Sequence, residues 1–189
     1  MGAVVRGAGD DGADDIVADA PGRIPSRPVL APGYEADDAL ATLATQAAAA
    51  SEAVVILSSD KDLLQLIGPG VAVERIGRTI RDLDRWDGER FAAEYAFGPA
   101  LLADYKALCG DKSDNIPGVP GVGPVAAQRP IQWHGDLDGI MARAQSEKPA
   151  LARKLTEHRD AAFLYRQLTT LIRAVPGVSL GPARAMVTR

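Results

Sequence analysis

The most continuous apolar run in the chain is AVVILSS, residues 53–59, and it predicts a strand buried on both faces. Shorter apolar runs at 71–76 and 79–83 predict two further strands around Gly77. Residues 29–31 predict a short strand stopped by Pro32-Gly33. Between these runs, residues 35–50 are almost all good helix formers, with Leu40 and Leu43 on one face. DGERFAAEYAF and PALLADYKALCG read as two helices separated by Gly98-Pro99. Beyond Pro124 the pattern is helical: PVAAQR cut short by Pro130, then 136–146, then more than one helix over 149–173. Leu164, Leu168, Leu171 and Ile172 form a stripe expected to pack in the core. Residues 1–28 are rich in Gly, Ala and Asp without periodicity and read as an irregular lead-in. Residues 176–189 read as a fraying tail. The fold class is α/β, with a helical region after the sheet.

Composition changes this picture little. A chain of 189 residues, 47% hydrophobic, buries one core with a small helical annex. The formal charge of −4 looks wrong for a nucleic-acid binder. If seven of the 25 acids sit on metal ions, however, the 21 bases outnumber the rest. The single cysteine, Cys109, excludes an internal disulfide and a Cys-rich zinc site. No apolar run approaches the roughly 20 residues that span a bilayer, and the start lacks a signal-peptide pattern, so a cytoplasmic location is expected.

Candidate chemistry gathers in three acidic groups at element ends and one loop. Glu35, Asp37 and Asp38 open a helix, where its dipole favours acids. Asp60 and Asp62 follow the buried strand, at the end where open α/β sheets bind ligands. Asp111 and Asp114 lie in GDKSDNIPGVPGVGP, residues 110–124. Any one group is ordinary acidic surface; three at the edges of one core repel unless cations offset them, and carboxylates suit hard Mg²⁺ or Mn²⁺. In the same segment Gly118, Gly121, Gly123 and Pro124 let backbone N–H groups approach an anion, with Pro124 in the first turn of a helix. Metal beside phosphate is nuclease chemistry.

GYEADD, SSDKDLLQL and GDKSDNIPGVPGVGP, in this order, resemble the 5′→3′ exonuclease and flap endonuclease family, most closely the N-terminal nuclease domain of bacterial DNA polymerase I. The resemblance covers roughly residues 24–175 and extends through DYKALCGDKSDN and KLTEHRDAAFLYRQLTTL. It implies an incomplete parallel-sheet, PIN-like nuclease core over 29–115 and a helix-hairpin-helix-like duplex-binding region over 116–175. The implied activity is phosphodiester hydrolysis at a DNA 5′ end, nick or flap by two metal ions about 4 Å apart. By motif, Glu35 and Asp37 hold the first ion with Asp38 beside them. Asp60, Asp62 and Asp114 hold the second, with Asp111 as ligand or supporting group. The loop Gly118, Val119, Gly121, Val122, Gly123, Pro124 grips duplex backbone, often with a K⁺ ion, and carries no sequence information.

The departures are equally specific. The family opens with a strand bearing a metal-ligating aspartate and then a basic, aromatic arch; neither is legible in this lead-in. Val125 stands where a lysine is usual, and Pro130 falls in a helix that normally continues. A truncated relative or fragment is therefore expected, with an exposed sheet edge beside residues 54–57, low stability, or a partner chain supplying the strand. A DNA polymerase is the other implied partner. The alternatives are a non-catalytic duplex-binding relative that has lost its first metal site, and a PIN-like RNase, which the loop disfavours. Lys61 is assigned to phosphate contact, with Lys106 and Lys112 as further candidates. Packing or surface roles are expected for His134, His158, Cys109, Trp86 and Trp133, and Asp10, Asp11, Asp14 and Asp15 read as solvated.

Overall fold

The computed structural model describes residues 2–6, 29–79 and 82–180. Four strands form one sheet in the order β1 (Gly2–Arg6), β2 (Ala53–Ser58), β3 (Val71–Ile76), β4 (Leu83–Trp86). Both β1 and β3 run parallel to β2, and β4 closes the far edge antiparallel. β2 is thus internal, and Val54 and Ile56 are buried as its unbroken apolar run requires.

β1 corrects the expectation of an irregular start and a missing neighbour. Val4 pairs with Val55 and Val5 with Ile56, so the bare edge expected beside β2 is covered. With it goes the reason to expect low stability or a second chain there. A five-residue Gly-Ala-Val stretch has little pattern of its own; pairing with a strand far along the chain makes it β. β1 contains no carboxylate, so it does not bring the aspartate that the family carries on its first strand. Asp10, Asp11, Asp14 and Asp15 lie outside the described residues.

The helices are α1 (Ala36–Ala49), α2 (Gly88–Tyr95), α3 (Leu102–Cys109), α4 (Pro124–His134), α5 (Leu137–Ala142), α6 (Pro149–Glu157) and α7 (Arg159–Thr169). Helix α3 is the hub: every residue from Leu102 to Leu108 is buried, against α4, α7 and the turn Asp62–Leu66. Its two charged side chains, Asp104 and Lys106, are buried and therefore committed to internal partners. Asp104 accepts from the Leu137 N–H at 3.0 Å and from Arg166 at 3.4 Å, joining α3 to α5 and α7.

Several expectations need correction. Residues 29–31 form no strand; a turn closes there through the Tyr34 N–H and the Ala31 carbonyl. The strand placed at 79–83 lies at Leu83–Trp86. Helix α4 runs through Pro130 to His134. Pro130 has no N–H for the Ala126 carbonyl, but Ala126 is exposed, so water can take that bond. The Leu164, Leu168 and Ile172 stripe is exposed rather than core; Leu171 alone of the four is partly buried. Small Ala162 and Thr169 occupy the inner face of α7, which lets it approach α3 closely. Trp86 is buried, but Trp133 is 67% exposed with the Arg129 guanidinium 4.2 Å above its ring. Residues up to 180 do not fray: Val175 and Val178 are buried against Ala39 and Leu43. Among the described residues no helix is long and apolar enough to cross a membrane.

Candidate active site

The three acidic groups converge on one cleft. Glu35 is the N-cap residue of α1, and Asp37 and Asp38 stand in its first turn. Asp60 and Asp62 follow β2 in a tight turn, where Asp60 accepts from the Asp62 N–H at 2.7 Å and donates its own N–H to Ser58 Oγ at 3.1 Å. Asp111 and Asp114 project from a loop that leaves α3 at Gly110. Paired hydrogen bonds of 2.8 Å between the backbones of Asp111 and Ile116 close this loop. Glu35, Asp37, Asp38, Asp60, Asp62 and Asp114 line the cleft, facing Phe163, Arg166 and Leu168 of α7 and the segment after it.

Within the cleft the acids divide into two halves. In one, burial and the charges of Asp60, Glu35 and Asp38 push the Asp37 carboxyl up to about 6, with a hydrogen bond to Asp60. Among the described residues, no basic side chain forms an ion pair with this half. Asp38 is partly engaged elsewhere, accepting from the Ile172 N–H at 2.8 Å. In the other half Asp62, Asp111 and Asp114 offer oxygens that all lie within 4.8 Å of one another. The Lys106 ammonium reaches all three, contacting Asp62 directly, Asp111 at 2.5 Å and Asp114 at 3.6 Å. Asp111 is held down to about 2: burial opposes its ionisation, but hydrogen bonds from Lys106 and Ser113 outweigh that. Lys106 is therefore not the phosphate contact expected of it, since its side chain is only 7% exposed. The available signal is its position less than two turns before Asp111, on a helix whose other charged side chain is Asp104.

The glycine loop sits beside this cleft in sequence and is built by close backbone packing. Gly118 has φ +68, and a Cβ there would fall 2.3 Å from the Gly110 nitrogen. Val119 and Val122 are buried, and their N–H groups are spent on the carbonyls of Leu108 and Val119. They hold the loop in place without facing solvent. Gly121, Gly123 and Pro124 are exposed, as are Lys61 and Lys112. Among the described residues, the N–H groups of Gly121 and Gly123, and of Val125 and Ala126 in the first turn of α4, make no hydrogen bond. N–H groups left without a partner at a helix start can receive an anion. Lys154 of α6 donates to the Gly121 carbonyl at 2.8 Å, adding a positive charge there.

Both parts of the chain match one family: residues 13–96 its "5'-3' exonuclease, N-terminal resolvase-like domain" and residues 97–185 its "5'-3' exonuclease, C-terminal SAM fold". The chain belongs to the 5′-3′ exonuclease family. Among similar proteins, DNA polymerase I of Mycobacterium leprae (strain TN) is 38% identical over 144 residues, 76% of this chain and 16% of that protein. DNA polymerase I of Treponema pallidum (strain Nichols) is 42% identical over 150 residues, 77% of this chain and 14% of that protein. This 5′-3′ exonuclease chain thus spans about a sixth of the length of such relatives. Zinc-bound T5 5′-exonuclease shares its fold with a TM-score of 0.65 at 22% identity, over 74% of this chain and 51% of that one. The catalytic core of Rad2 with a DNA substrate superposes with a TM-score of 0.51 at 19% identity, over 80% of this chain and 51% of that one. An α/β half followed by a helical half is the architecture expected from the sequence; the family describes the second half as a SAM fold where a helix-hairpin-helix-like region was expected.

Proposed function

We propose that this chain hydrolyses phosphodiester bonds at DNA 5′ ends, nicks or flaps with divalent metal ions, as a 5′→3′ exonuclease or flap endonuclease. The observation that carries this reading is the convergence of six separated acids on one cleft, with a backbone anion cradle on the helix that follows. The donor set fits the ion: three carboxylates lie within 4.8 Å of one another, and burial and the charges of Asp60, Glu35 and Asp38 resist the ionisation of a fourth, Asp37. Asp60, hydrogen-bonded to Asp37, moves from the second set to the first: Mg²⁺ or Mn²⁺ would be held by Glu35, Asp37 and Asp60, with Asp38 adjacent, and a second ion by Asp62, Asp111 and Asp114 only where it displaces the Lys106 ammonium. When bound, such ions lower the pKa of a water and stabilise the leaving oxygen. The chain's own residues then position the substrate. Gly121, Gly123, Val125 and Ala126 present N–H groups to a backbone phosphate, Lys61 and Lys112 add charge, and a K⁺ ion at the loop would extend the cradle. The setting we infer is the cytoplasm, in DNA replication or repair beside a polymerase activity.

A 5′-labelled flap or nicked duplex incubated with Mn²⁺, and separately with EDTA, tests the reading. Metal-dependent release abolished by Asp60→Ala supports it. Binding without cleavage would instead favour a non-catalytic duplex-binding relative, a reading that the acid-free β1 keeps open. For the cradle, Gly121→Val meets a backbone at φ +71 and the Lys154 ammonium. It is expected to weaken duplex binding about tenfold, equivalent to about 1.4 kcal/mol; unchanged affinity across several salt concentrations would retire that role.

A further inference from the structure

The two halves of the cleft hold comparable numbers of carboxylates but differ in what neutralises them. Lys106 extends from the buried helix α3 into the half formed by Asp62, Asp111 and Asp114, and contacts all three. An ammonium has three N–H donors and no acceptor; Asp62 and Asp111 engage it at contact distance, and Asp114, at 3.6 Å, is held by charge. An ion entering this half must compete with the ammonium for the same carboxylate oxygens. The half formed by Glu35, Asp37, Asp38 and Asp60 has no such tethered cation among the described residues.

From this geometry, and resting on the metal-site reading above, we infer that Lys106 is a built-in cation plug. It takes the place of one divalent ion, so the chain binds its first ion at the Glu35, Asp37 and Asp60 half and resists a second. Lys106 is a positioning residue: it fixes Asp62, Asp111 and Asp114 and sets how many ions the cleft accepts.

The test is a count of bound Mn²⁺ by electron paramagnetic resonance on the full chain, with no DNA present. The wild-type chain is expected to bind one ion over a range in which Lys106→Met binds two, the second at least about tenfold more tightly than in wild type. Lys106→Arg, which keeps the charge, should still bind one. Equal stoichiometry and affinity in wild type and Lys106→Met would overturn the plug while leaving the metal-site reading intact. No binding by either chain would overturn both. A second measurement avoids any folding defect in the variant: acetylation of wild-type lysines read by mass spectrometry. Lys106 is expected to stay unreactive while the first ion saturates. Reactivity rising in step with that ion would overturn the proposal.

Discussion

The two halves of the acidic cleft start from the same kind of residue and arrive at opposite electrostatic states. Asp37, crowded by Asp60, Glu35 and Asp38, is pushed up to about 6. Asp111, equally acidic by nature, is held down to about 2 by Lys106 and Ser113 despite burial. The difference lies in the secondary structure behind each acid. α1 and the turn after β2 bring Asp37 against Asp60 with no ion pair to a basic side chain among the described residues, whereas α3 supplies the second group with a buried lysine. Proximity of carboxylates therefore does not by itself define a vacancy for metal; the nearest fixed cation decides.

Breaking one half at a time should expose this asymmetry. The largest effect is expected from Asp60→Ala, which should reduce metal-dependent cleavage at least about a hundredfold and remove Mn²⁺ binding, measured by single-turnover assays and calorimetry. Asp62→Ala, on the other side, should leave the count of tightly bound Mn²⁺ at one. Next comes Lys106→Met, which leaves three carboxylates facing one another. In EDTA it should lose about 3 kcal/mol of stability by denaturant melting, and Mn²⁺ should restore much of that loss. A variant equally stable with and without Mn²⁺ would show that the lysine neutralises nothing of consequence.

The smallest expected effect is the pH profile of the metal-free protein, and its sign differs between the halves. Asp37 has a folded pKa of about 6 against an ordinary 3.8, so its contribution is present at low pH and lost as pH rises through about 6. Asp111 has a folded pKa of about 2 against 3.8, so its contribution is present above 3.8 and lost as pH falls toward 2. The two windows adjoin near pH 4, where both contributions are close to full; from there to about pH 6 the Asp37 contribution is being lost. Asp37→Asn should flatten the decline between about pH 4 and 6 in thermal melts with EDTA and raise the melting temperature at pH 7 slightly, since Asp37 is only partly buried and its repulsion is screened by solvent. It would also weaken Mn²⁺ binding, trading stability against function.

Much of the site was readable because its residues sit at sharp boundaries in the pattern. Asp60 and Asp62 follow an unbroken apolar run, and Gly118 to Pro124 punctuate a helix start. What escaped reading depends on contacts made far along the chain. β1 has too few residues to show a period and takes its structure from β2. Lys106 looks like a surface lysine because nothing in DYKALCGD says that the helix is covered on every side. Leu164 and Leu168 promised a core face, but Ala162 and Thr169 won the inner positions because small side chains admit a closer helix contact. Pro130 was read as a stop, yet it lies where the missing hydrogen bond faces solvent.

One side of α1 carries Asp38, Thr42 and Gln46, a full helical turn apart. Asp38 takes the Ile172 N–H, Thr42 takes the Val175 N–H, and Gln46 both donates to Val178 and accepts from Leu180. The extended stretch after α7 is thereby laced to the helix whose first turn carries Glu35 and Asp37, rung by rung. Shortening the polypeptide past Thr170 would unlace those rungs and let the metal-bearing helix rock. Damage to the cleft could therefore begin well away from any acid within it.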